Sequence, residues 1–282
     1  MPLRTIDVGY RDKRVHFEMD LDLNDTNDEW MNRYFVANKC YEPEVAFVML
    51  RALREGDTVV DVGANIGFFT LFMSSAVGNT GHVLAFEPAS NALPDLRKNL
   101  ALNPTNNVEV YERVLWSCEE KQTFWLNSDS RGSNSIYDPG LWHENVRSIA
   151  NPQPSEVVTT TLDAVLGHRP VRLIKIDTEG AEQKILQGTQ EVLRRQKPPF
   201  IIAELNPVGA GWLGDTNEAM RVFMRGFGYD VFLLDSGGQI PALVPPKTEI
   251  VNQNGCIVMN VMFSTLDAVA EIYPQAPFER VP

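Results

Sequence analysis

The chain has 282 residues and a formal net charge of −12, with 44% hydrophobic and 22% charged residues. These proportions are typical of a globular protein, and the acidity disfavours nucleic acid as a substrate because phosphate backbones carry the same sign of charge. No apolar run approaches the roughly 20 residues that cross a bilayer, and the N-terminus lacks a secretory apolar core. Three widely spaced cysteines without a CxxC pair favour reduced thiols, so we expect a cytoplasmic protein without disulfides or structural zinc.

Residues 1–40 differ in pattern from the rest of the chain and predict an N-terminal extension. Two short apolar runs, Val8–Tyr10 and Val15–Phe17, flank four polar residues and indicate a hairpin. Asp28–Val36 then has the composition of a short helix. We predict that this extension forms a lid over one end of a core domain that comprises residues 41–282.

From Glu44 onward, helical and strand patterns alternate. Strands are predicted at Thr58–Val62, His82–Phe86, Val108–Val114, Val171–Ile176, Phe200–Leu205, Tyr229–Leu234 and Cys256–Phe263, and helices at Glu44–Arg54, Phe68–Ala76, Ala89–Leu102, Ala181–Arg194 and Asn217–Gly226. Regular alternation of this kind predicts an α/β fold with a doubly wound, mostly parallel sheet. Two irregular segments, a loop insertion at 127–155 and a Pro/Gly-rich stretch at 235–254, interrupt the pattern, and such long loops are usually functional or disordered.

The turn after the first core strand reads Asp61-Val-Gly-Ala-Asn-Ile-Gly67 and indicates a ligand site. Ligands of open α/β sheets lie beyond the carboxyl ends of the strands, and glycine lets the backbone approach them closely. Asn65 replaces the middle glycine of a dinucleotide fingerprint, which disfavours NAD or FAD, and no P-loop Gly-Lys-Ser/Thr follows. Glu87 ends the second strand at the spacing where an acid binds ribose hydroxyls. An ordinary helix-capping role is the alternative for Glu87.

Several strings together resemble the FkbM-type methyltransferases. They are Tyr41-Glu-Pro-Glu44, the turn Asp61–Gly67, Phe86-Glu-Pro88, Thr161-Leu-Asp163, Ile174-Lys-Ile-Asp-Thr-Glu-Gly-Ala-Glu182 and Ala203-Glu-Leu205. The resemblance implies a Rossmann-like, seven-stranded methyltransferase sheet whose last strand, Cys256–Phe263, is antiparallel. It implies S-adenosyl-L-methionine as methyl donor, S-adenosyl-L-homocysteine as product, and mostly hydroxyl oxygens of polyketides, sugars and other small metabolites as acceptors.

The same resemblance implies roles for individual residues in the cofactor site. The methionine part of the cofactor would be bound by Asp61, Gly63, Asn65 and Gly67, and the ribose by Glu87. Val114 and Leu115 would face adenine, and Tyr41 and Asp177 would complete the site. The segment Arg131–Ser135 departs from the family's Gly/Ser-rich pattern, and its role is left open.

The fourth core strand ends at Lys175-Ile-Asp177, and Lys175 and Asp177 share one face of it. Methyl transfer to an alcohol is an in-line displacement that also removes a proton, so a carboxylate at this strand tip is a candidate general base. Asp177 could take the proton or only orient the hydroxyl, and Lys175 could instead form a structural ion pair. Glu204, within an apolar strand, is a second candidate because a buried acid needs a partner. His143 and His16 are the remaining candidate bases, although a surface position is the simpler interpretation of each.

The acceptor pocket is predicted to lie between aromatic residues of the lid (Trp30, Tyr34 and Phe35) and the segment Ser128–Trp142. No compact ligand cluster such as HxH or DxD indicates a metal site, so none is predicted. Three alternatives stay open: N-methylation of a small amine, a non-catalytic module that binds an adenosine cofactor, and a nicotinamide oxidoreductase, which the missing glycine disfavours. We expect a small-molecule acceptor and neither a membrane nor a nucleic-acid partner, and a homodimer is left open.

Overall fold

The computed structural model describes residues 2–37, 39–138, 152–234, 240–250 and 258–276. Strands β1 (Leu3–Tyr10) and β2 (Lys13–Asp20) form an antiparallel hairpin that precedes helix α1 (Thr26–Val36). The elements that follow are α2 (Pro43–Ala52), β3 (Thr58–Val62), α3 (Phe68–Val77), β4 (His82–Phe86), α4 (Leu93–Ala101), β5 (Val108–Tyr111), β6 (Val114–Leu115), β7 (Lys121–Leu126), β8 (Gln153–Thr160), α5 (Leu162–Leu166), β9 (Leu173–Ile176), α6 (Glu182–Gln187), α7 (Gln190–Arg195), β10 (Phe200–Leu205), α8 (Pro207–Trp212), α9 (Asn217–Gly226), β11 (Asp230–Leu233), β12 (Ala242–Val244), β13 (Met259–Ser264) and α10 (Leu266–Ile272).

The central sheet has the strand order β12-β11-β13-β10-β9-β3-β4-β5. Strands β5, β4, β3, β9 and β10 are parallel, while β13 runs antiparallel to both β10 and β11. Their buried Val, Ile and Leu residues reflect the cover of helices on both faces. The predicted α/β fold is therefore confirmed.

The observed sheet differs from the predicted one in two details. The described part of the sheet has eight strands rather than seven, because the short edge strand β12 pairs with β11 inside the segment predicted to be irregular. The antiparallel strand comprises Met259–Ser264 rather than Cys256–Phe263, and Cys256 lies outside the described residues.

A second, three-stranded sheet of β6, β8 and β7 was missed by the pattern analysis. The predicted third core strand, Val108–Val114, ends at Tyr111, and Val114 starts β6 of this second sheet. A loop insertion was predicted at 127–155, but its last residues belong to strand β8, which begins at Gln153. Its residues 139–151 lie outside the described ranges.

The helix predicted over Ala181–Arg194 is divided into α6 and α7 at Gly188. An ideal Cβ at Gly188 would lie 2.0 Å from the carbonyl oxygen of Trp116, so the chain approaches β6 too closely there for a side chain. The break therefore follows from packing against an element more than 70 residues earlier, for which a local pattern carries no signal.

The N-terminal hairpin packs on helices rather than over the carboxyl edge of the central sheet. Its inward-facing side chains, among them Ile6, Val15 and Phe17, share one buried core with α2 and α3. The main-chain N–H groups along the outer edge of β2 donate to side chains of α3 and the region of α4. The lid function of residues 1–40 stays a prediction, and α1 is the part placed nearest to the carboxyl edge. Among the helices described, none combines the length and apolarity needed to span a bilayer.

Candidate active site

A cleft lies at the carboxyl edge of the central sheet, where β3, β4, β9 and β10 end. It encloses about 900 Å³, including its open mouth. Its lining includes Tyr41, Glu42, Gly63, Asn65, Glu87, Val114, Leu115, Phe124, Arg131, Ile136, Asp177, Glu179 and Glu204. A smaller recess beside it shares Tyr41, Gly63, Asn65 and Asp177 and adds Asp61 and Lys175. The structure thus brings together all the residues predicted to bind cofactor except Gly67.

The turn between β3 and α3 passes too close to the end of β9 to carry a side chain at Gly63. Gly63 has a φ of 83°, and an ideal Cβ there would lie 1.8 Å from the carbonyl oxygen of Asp177. Asn65 also has a positive φ, 47°, which asparagine tolerates better than most residues. Gly67 is the N-cap of α3, with a φ of 97°, so its role is in the turn rather than in the wall of the cleft.

Glu87 is buried at the end of β4 and is held by two main-chain amides. Its Oε2 accepts from the N–H of Asn65 at 2.7 Å, and its Oε1 accepts from the N–H of Ala89 at 2.8 Å. Burial raises the pKa of Glu87 to about 7, although both hydrogen bonds favour the charged form. Each carboxylate oxygen keeps a further lone pair for a donor in the cleft. Glu87 therefore organises the turn and can still bind a ribose hydroxyl.

One end of the cleft is apolar. Its lining there comprises Val114, Leu115, Phe124, Ile136 and Ile185. Val114 and Leu115 belong to the second sheet and line the cleft, and their contact with adenine stays a prediction. Flat, apolar surroundings of this kind suit an aromatic ring.

The recess next to the glycine turn contains buried acceptors without donors. Asp61 is fully buried and accepts from the hydroxyl of Thr70 at 2.6 Å through Oδ2. Its Oδ1, like Oδ1 of Asn65, has no hydrogen-bond partner in the described part of the chain. A buried acceptor left unpaired costs roughly 1–3 kcal/mol, so a ligand that donates here would be favoured. Burial raises the pKa of Asp61 to about 6, and Lys175 opposes this rise.

Lys175 lies buried between this recess and the acidic end of the cleft. Its Nζ donates to Oδ2 of Asp177 at 2.8 Å and lies 4.6 Å from the ring centroid of Phe69. Burial by itself would lower the pKa of Lys175, but the carboxylates of Asp177, Asp61 and Glu42 raise it above its usual value. The lysine is therefore a permanent positive charge beneath the acids.

Four carboxylates line the acidic end of the cleft: Glu42, Asp177, Glu179 and Glu204. Burial, followed by repulsion from Asp177, raises the pKa of Glu42 to about 7 and that of Glu179 to about 8. Burial and the neighbouring Glu179 raise the pKa of Glu204 well above its usual value. The amide of Asn206 donates to Glu179 at 3.1 Å and to Glu204 at 3.4 Å. The pKa values of Glu42 and Glu179 thus lie near neutral pH, where a general base works best.

Glu42 was not among the residues predicted from the sequence, and for Glu179 a helix-capping role and a chemical role were both open. Glu42 precedes α2 with a φ of 39°, and its only signal was its place in the Tyr41–Glu44 string. In the part of the chain that is described, no group of three or more His, Cys, Asp or Glu side chains could hold a metal ion.

One of the two candidate histidines, His16, lies away from the cleft. His16 lies on the hairpin, 3.8 Å from Asp7, and its main-chain N–H donates to Ser75 in the last part of α3. The cleft lies at the opposite end of α3, so His16 is not a candidate base. His143 lies outside the described residues.

The aromatic residues of α1 do not line the cleft. Trp30 is half exposed and packs edge-to-face on Tyr34, while Phe35 stacks on Phe68. The face of α1 that reaches the cleft and the recess carries Asn27 and Met31 instead. The three aromatic residues predicted at the acceptor pocket are therefore not on the face that reaches the cleft, and the lid role of α1 stays a prediction.

A glycine turn, a buried acid at the tip of β4 and a recess with unpaired acceptors lie together at the carboxyl edge of a doubly wound sheet, the edge at which nucleotide-binding proteins of this class hold their cofactors. Residues 61–231, more than half of the chain, match the family model described as the methyltransferase FkbM domain. The chain belongs to this family and is an S-adenosylmethionine-dependent methyltransferase.

Individual relatives are distant. "Methyltransferase 1" of Beauveria bassiana is 24% identical over 177 residues, which cover 58% of this chain and 68% of that protein. A tRNA (adenine(57)-N(1)/adenine(58)-N(1))-methyltransferase of Methanocaldococcus jannaschii is 40% identical over 58 residues, which cover 20% of this chain and 21% of that protein. The solved structure of an FkbM methyltransferase from Methylobacillus flagellatus has a TM-score of 0.45 and 13% identity, and covers 87% of this chain and 56% of that chain.

The residues present fit S-adenosylmethionine, which supplies a methyl group on a sulfonium sulfur. Glu87 would hold the ribose, and Val114 and Leu115 would contact adenine. The unpaired Oδ1 atoms of Asp61 and Asn65 match the need of an ammonium group for acceptors.

Proposed function

We propose that this methyltransferase transfers the methyl group to a hydroxyl oxygen of a small metabolite. The observation that carries the proposal is the set of carboxylates that line the same cleft as the apolar slot for adenine. An alcohol is a weak nucleophile until its proton leaves, and a base works best when its pKa is near the working pH. Glu42 and Glu179, with pKa values raised to about 7 and about 8, meet that condition.

Asp177 would orient the acceptor. One of its carboxylate oxygens is bound by Lys175, and the other is available to accept from the O–H of the acceptor. As the new oxygen–carbon bond forms and the carbon–sulfur bond breaks, the proton of the acceptor would pass to Asp177 or to a neighbouring carboxylate. The tip of β9 thus supplies both orientation and a route for the proton.

The charge of the protein supports a small acceptor rather than RNA. The net charge is −12, and carboxylates at the cleft repel a phosphate backbone. The likeness to a tRNA methyltransferase covers only 20% of this chain. The same carboxylates would attract a cation, so N-methylation of a small amine is the second candidate function. A homodimer stays a prediction.

The proposal is tested by incubating the full chain with S-adenosylmethionine and pairs of acceptors that differ only in carrying a hydroxyl or an amine. Phenols, sugars and amino alcohols would be included, and mass spectrometry would locate the added methyl group. We expect methyl groups on oxygen, and a loss of this product in Glu179→Gln while cofactor affinity is kept. Methylation of nitrogen alone would contradict the proposed acceptor and leave the family assignment intact.

A further inference from the structure

Arg131 lies in the wall of the cleft with its side chain only 9% exposed, and three carboxylates surround its guanidinium group. Nε lies 3.2 Å from Asp25 Oδ2, Nη2 lies 2.7 Å from Asp28 Oδ2, and Nη1 is paired with Asp95. Asp25 caps α1, Asp28 lies in its first turn, and Asp95 belongs to α4. These four residues, here termed the clasp, join three separate segments of the chain at one point.

Main-chain contacts reinforce the clasp. The N–H of Arg131 donates to Asp25 Oδ2 at 2.8 Å, and the N–H of Thr26 donates to the carbonyl of Asp129 at 3.2 Å. Gly132 lies directly against α1, because an ideal Cβ there would be 2.8 Å from Cγ of Asn27. Asn27, Arg131 and Gly132 line the same cleft as Glu87. The joined segments therefore form a wall of the cofactor site.

The end of α1 nearest the cleft is attached by this ionic contact, while Met31 and Phe35 pack against the apolar core. Asp28 and Met31 are the buried residues of α1. Asp28 is 1% exposed, and its Oδ1 has no hydrogen-bond partner in the ranges described. Burial raises the pKa of Asp28 to about 7, against the opposing effects of the N–H of Asp22 and of Arg131. A contact of this kind holds only while both partners are present, and water can replace it when the segments separate.

We propose that Arg131 is a positioning residue for the cofactor: the clasp holds α1 and residues 129–134 together at the cleft, and it must open for S-adenosylhomocysteine to leave. The inference depends on the cofactor that the family uses and not on the acceptor. Arg131 has no part in the methyl transfer itself. Its loss would change how long the cofactor stays, whereas the carboxylates of the acidic end would keep their places.

The first test measures dissociation of S-adenosylhomocysteine from Arg131→Gln by stopped-flow displacement. We expect the dissociation rate to rise about tenfold or more, with KM for S-adenosylmethionine raised and acceptor KM changed by less than about two-fold. Arg97→Gln is the matched control, because Arg97 lies on α4, as does Asp95 of the clasp, but pairs with Glu112 at the surface with 56% of its side chain exposed. An unchanged dissociation rate in a folded Arg131→Gln variant would overturn the proposal.

The second test closes the clasp covalently, in case Arg131→Gln folds poorly. Asn27→Cys with Gly132→Cys places two thiols at a contact close enough for a disulfide, in a background where the three native cysteines are serine. After loading with S-adenosylhomocysteine and oxidation, release should slow about tenfold or more and recover with a reductant. The double variant kept reduced throughout is the matched control, because it differs from the oxidised protein only by the cross-link. Equal release by the cross-linked and reduced forms would show that the cofactor leaves by another route.

Discussion

The main-chain N–H of Asn65 donates to Oε2 of Glu87 at 2.7 Å, which ties the glycine turn after β3 to the tip of β4. The two residues are 22 positions apart in sequence, and they meet because β3 and β4 pair in parallel register from Thr58 and His82 to Val62 and Phe86. Glu87, at the end of β4, thus fixes the shape of the turn that follows the neighbouring strand β3. A change at Glu87 should therefore affect both the ribose contact and the turn.

Glu87→Ala should weaken binding of S-adenosylhomocysteine by tenfold or more. Hydrogen bonds to a charged group contribute about 1.5–3 kcal/mol each, and about 1.4 kcal/mol corresponds to a factor of ten in affinity. Isothermal titration calorimetry on folded protein gives the affinity directly. Glu112→Ala removes an exposed acid near the end of β5 and should leave the affinity unchanged. Unaltered binding by Glu87→Ala would show that Glu87 does not bind the ribose.

The affinity should also depend on pH through Glu87. Its pKa is raised to about 7, and the ionised carboxylate is the better acceptor for hydroxyl donors. Affinity of the wild type should therefore decline as the pH falls from 8 to about 5.5. Glu87→Gln removes this titration, so the difference between the two proteins should shrink towards the lower pH. A constant difference across the range would argue against a titrating Glu87.

Gly63→Ala should destabilise the fold by about 2 kcal/mol or more. The added methyl group would overlap the carbonyl oxygen of Asp177, at 1.8 Å from it, in a backbone conformation with a φ of 83°. Both the close contact and the positive φ are unfavourable for alanine. Gly211→Ala in α8 meets nothing within 4 Å, so it should be neutral or slightly stabilising. Urea denaturation of the two variants would contradict the prediction if their midpoints were equal.

Lys175→Met should cost about 3–5 kcal/mol at neutral pH, because it leaves buried carboxylates without their cation. Lys175 has a raised pKa and contributes its stabilisation throughout the range from pH 5 to 8, well below its ordinary pKa. The pKa values of Asp61 and Glu42 are already about 6 and about 7, and loss of the lysine would raise them further. Protonation then relieves the repulsion, so the deficit should be largest above pH 7 and shrink towards pH 5.

Urea midpoints at several pH values measure this dependence. Lys121→Met is the control, since Lys121 pairs with Glu156 at the surface with 71% of its side chain exposed. It should cause little loss at any pH. A deficit in Lys175→Met that stays constant with pH would indicate lost packing against Phe69 rather than uncompensated charge.

Sequence patterns predicted well those elements whose pattern arises locally. The ends of β3, β4 and β10 match the predicted bounds because each is a buried apolar run between turns. Patterns failed where a distant contact decides the structure, as at Gly188 against Trp116. The site divides in the same way. Asp61 near the end of β3 and Glu87 directly after β4 were singled out from the sequence, while the clasp joins residues up to 106 positions apart and leaves no periodic signal.

Asp177→Asn gives the most direct information about the chemistry. The change keeps the shape of the side chain, and its amide oxygen can still accept from Lys175. If Asp177 is the general base, kcat should fall by about 10² to 10⁴ with cofactor affinity largely kept. If it only orients the acceptor, the amide should substitute and the loss should be about tenfold or less.

The pH–rate profile separates these outcomes. When the base is Glu179 or Glu42, the Asp177→Asn variant should keep a rise in kcat with pH. The rise should move to lower pH than in the wild type, because the charge of Asp177 that helps to raise both pKa values is gone. Glu179→Gln should then remove that rise or shift it towards the pKa of Glu42. Should Asp177→Asn instead abolish the rise while Glu179→Gln keeps it, the proton would go to Asp177 itself. A profile unchanged in both variants would direct attention to Glu204, which accepts from Asn206 in the same cluster.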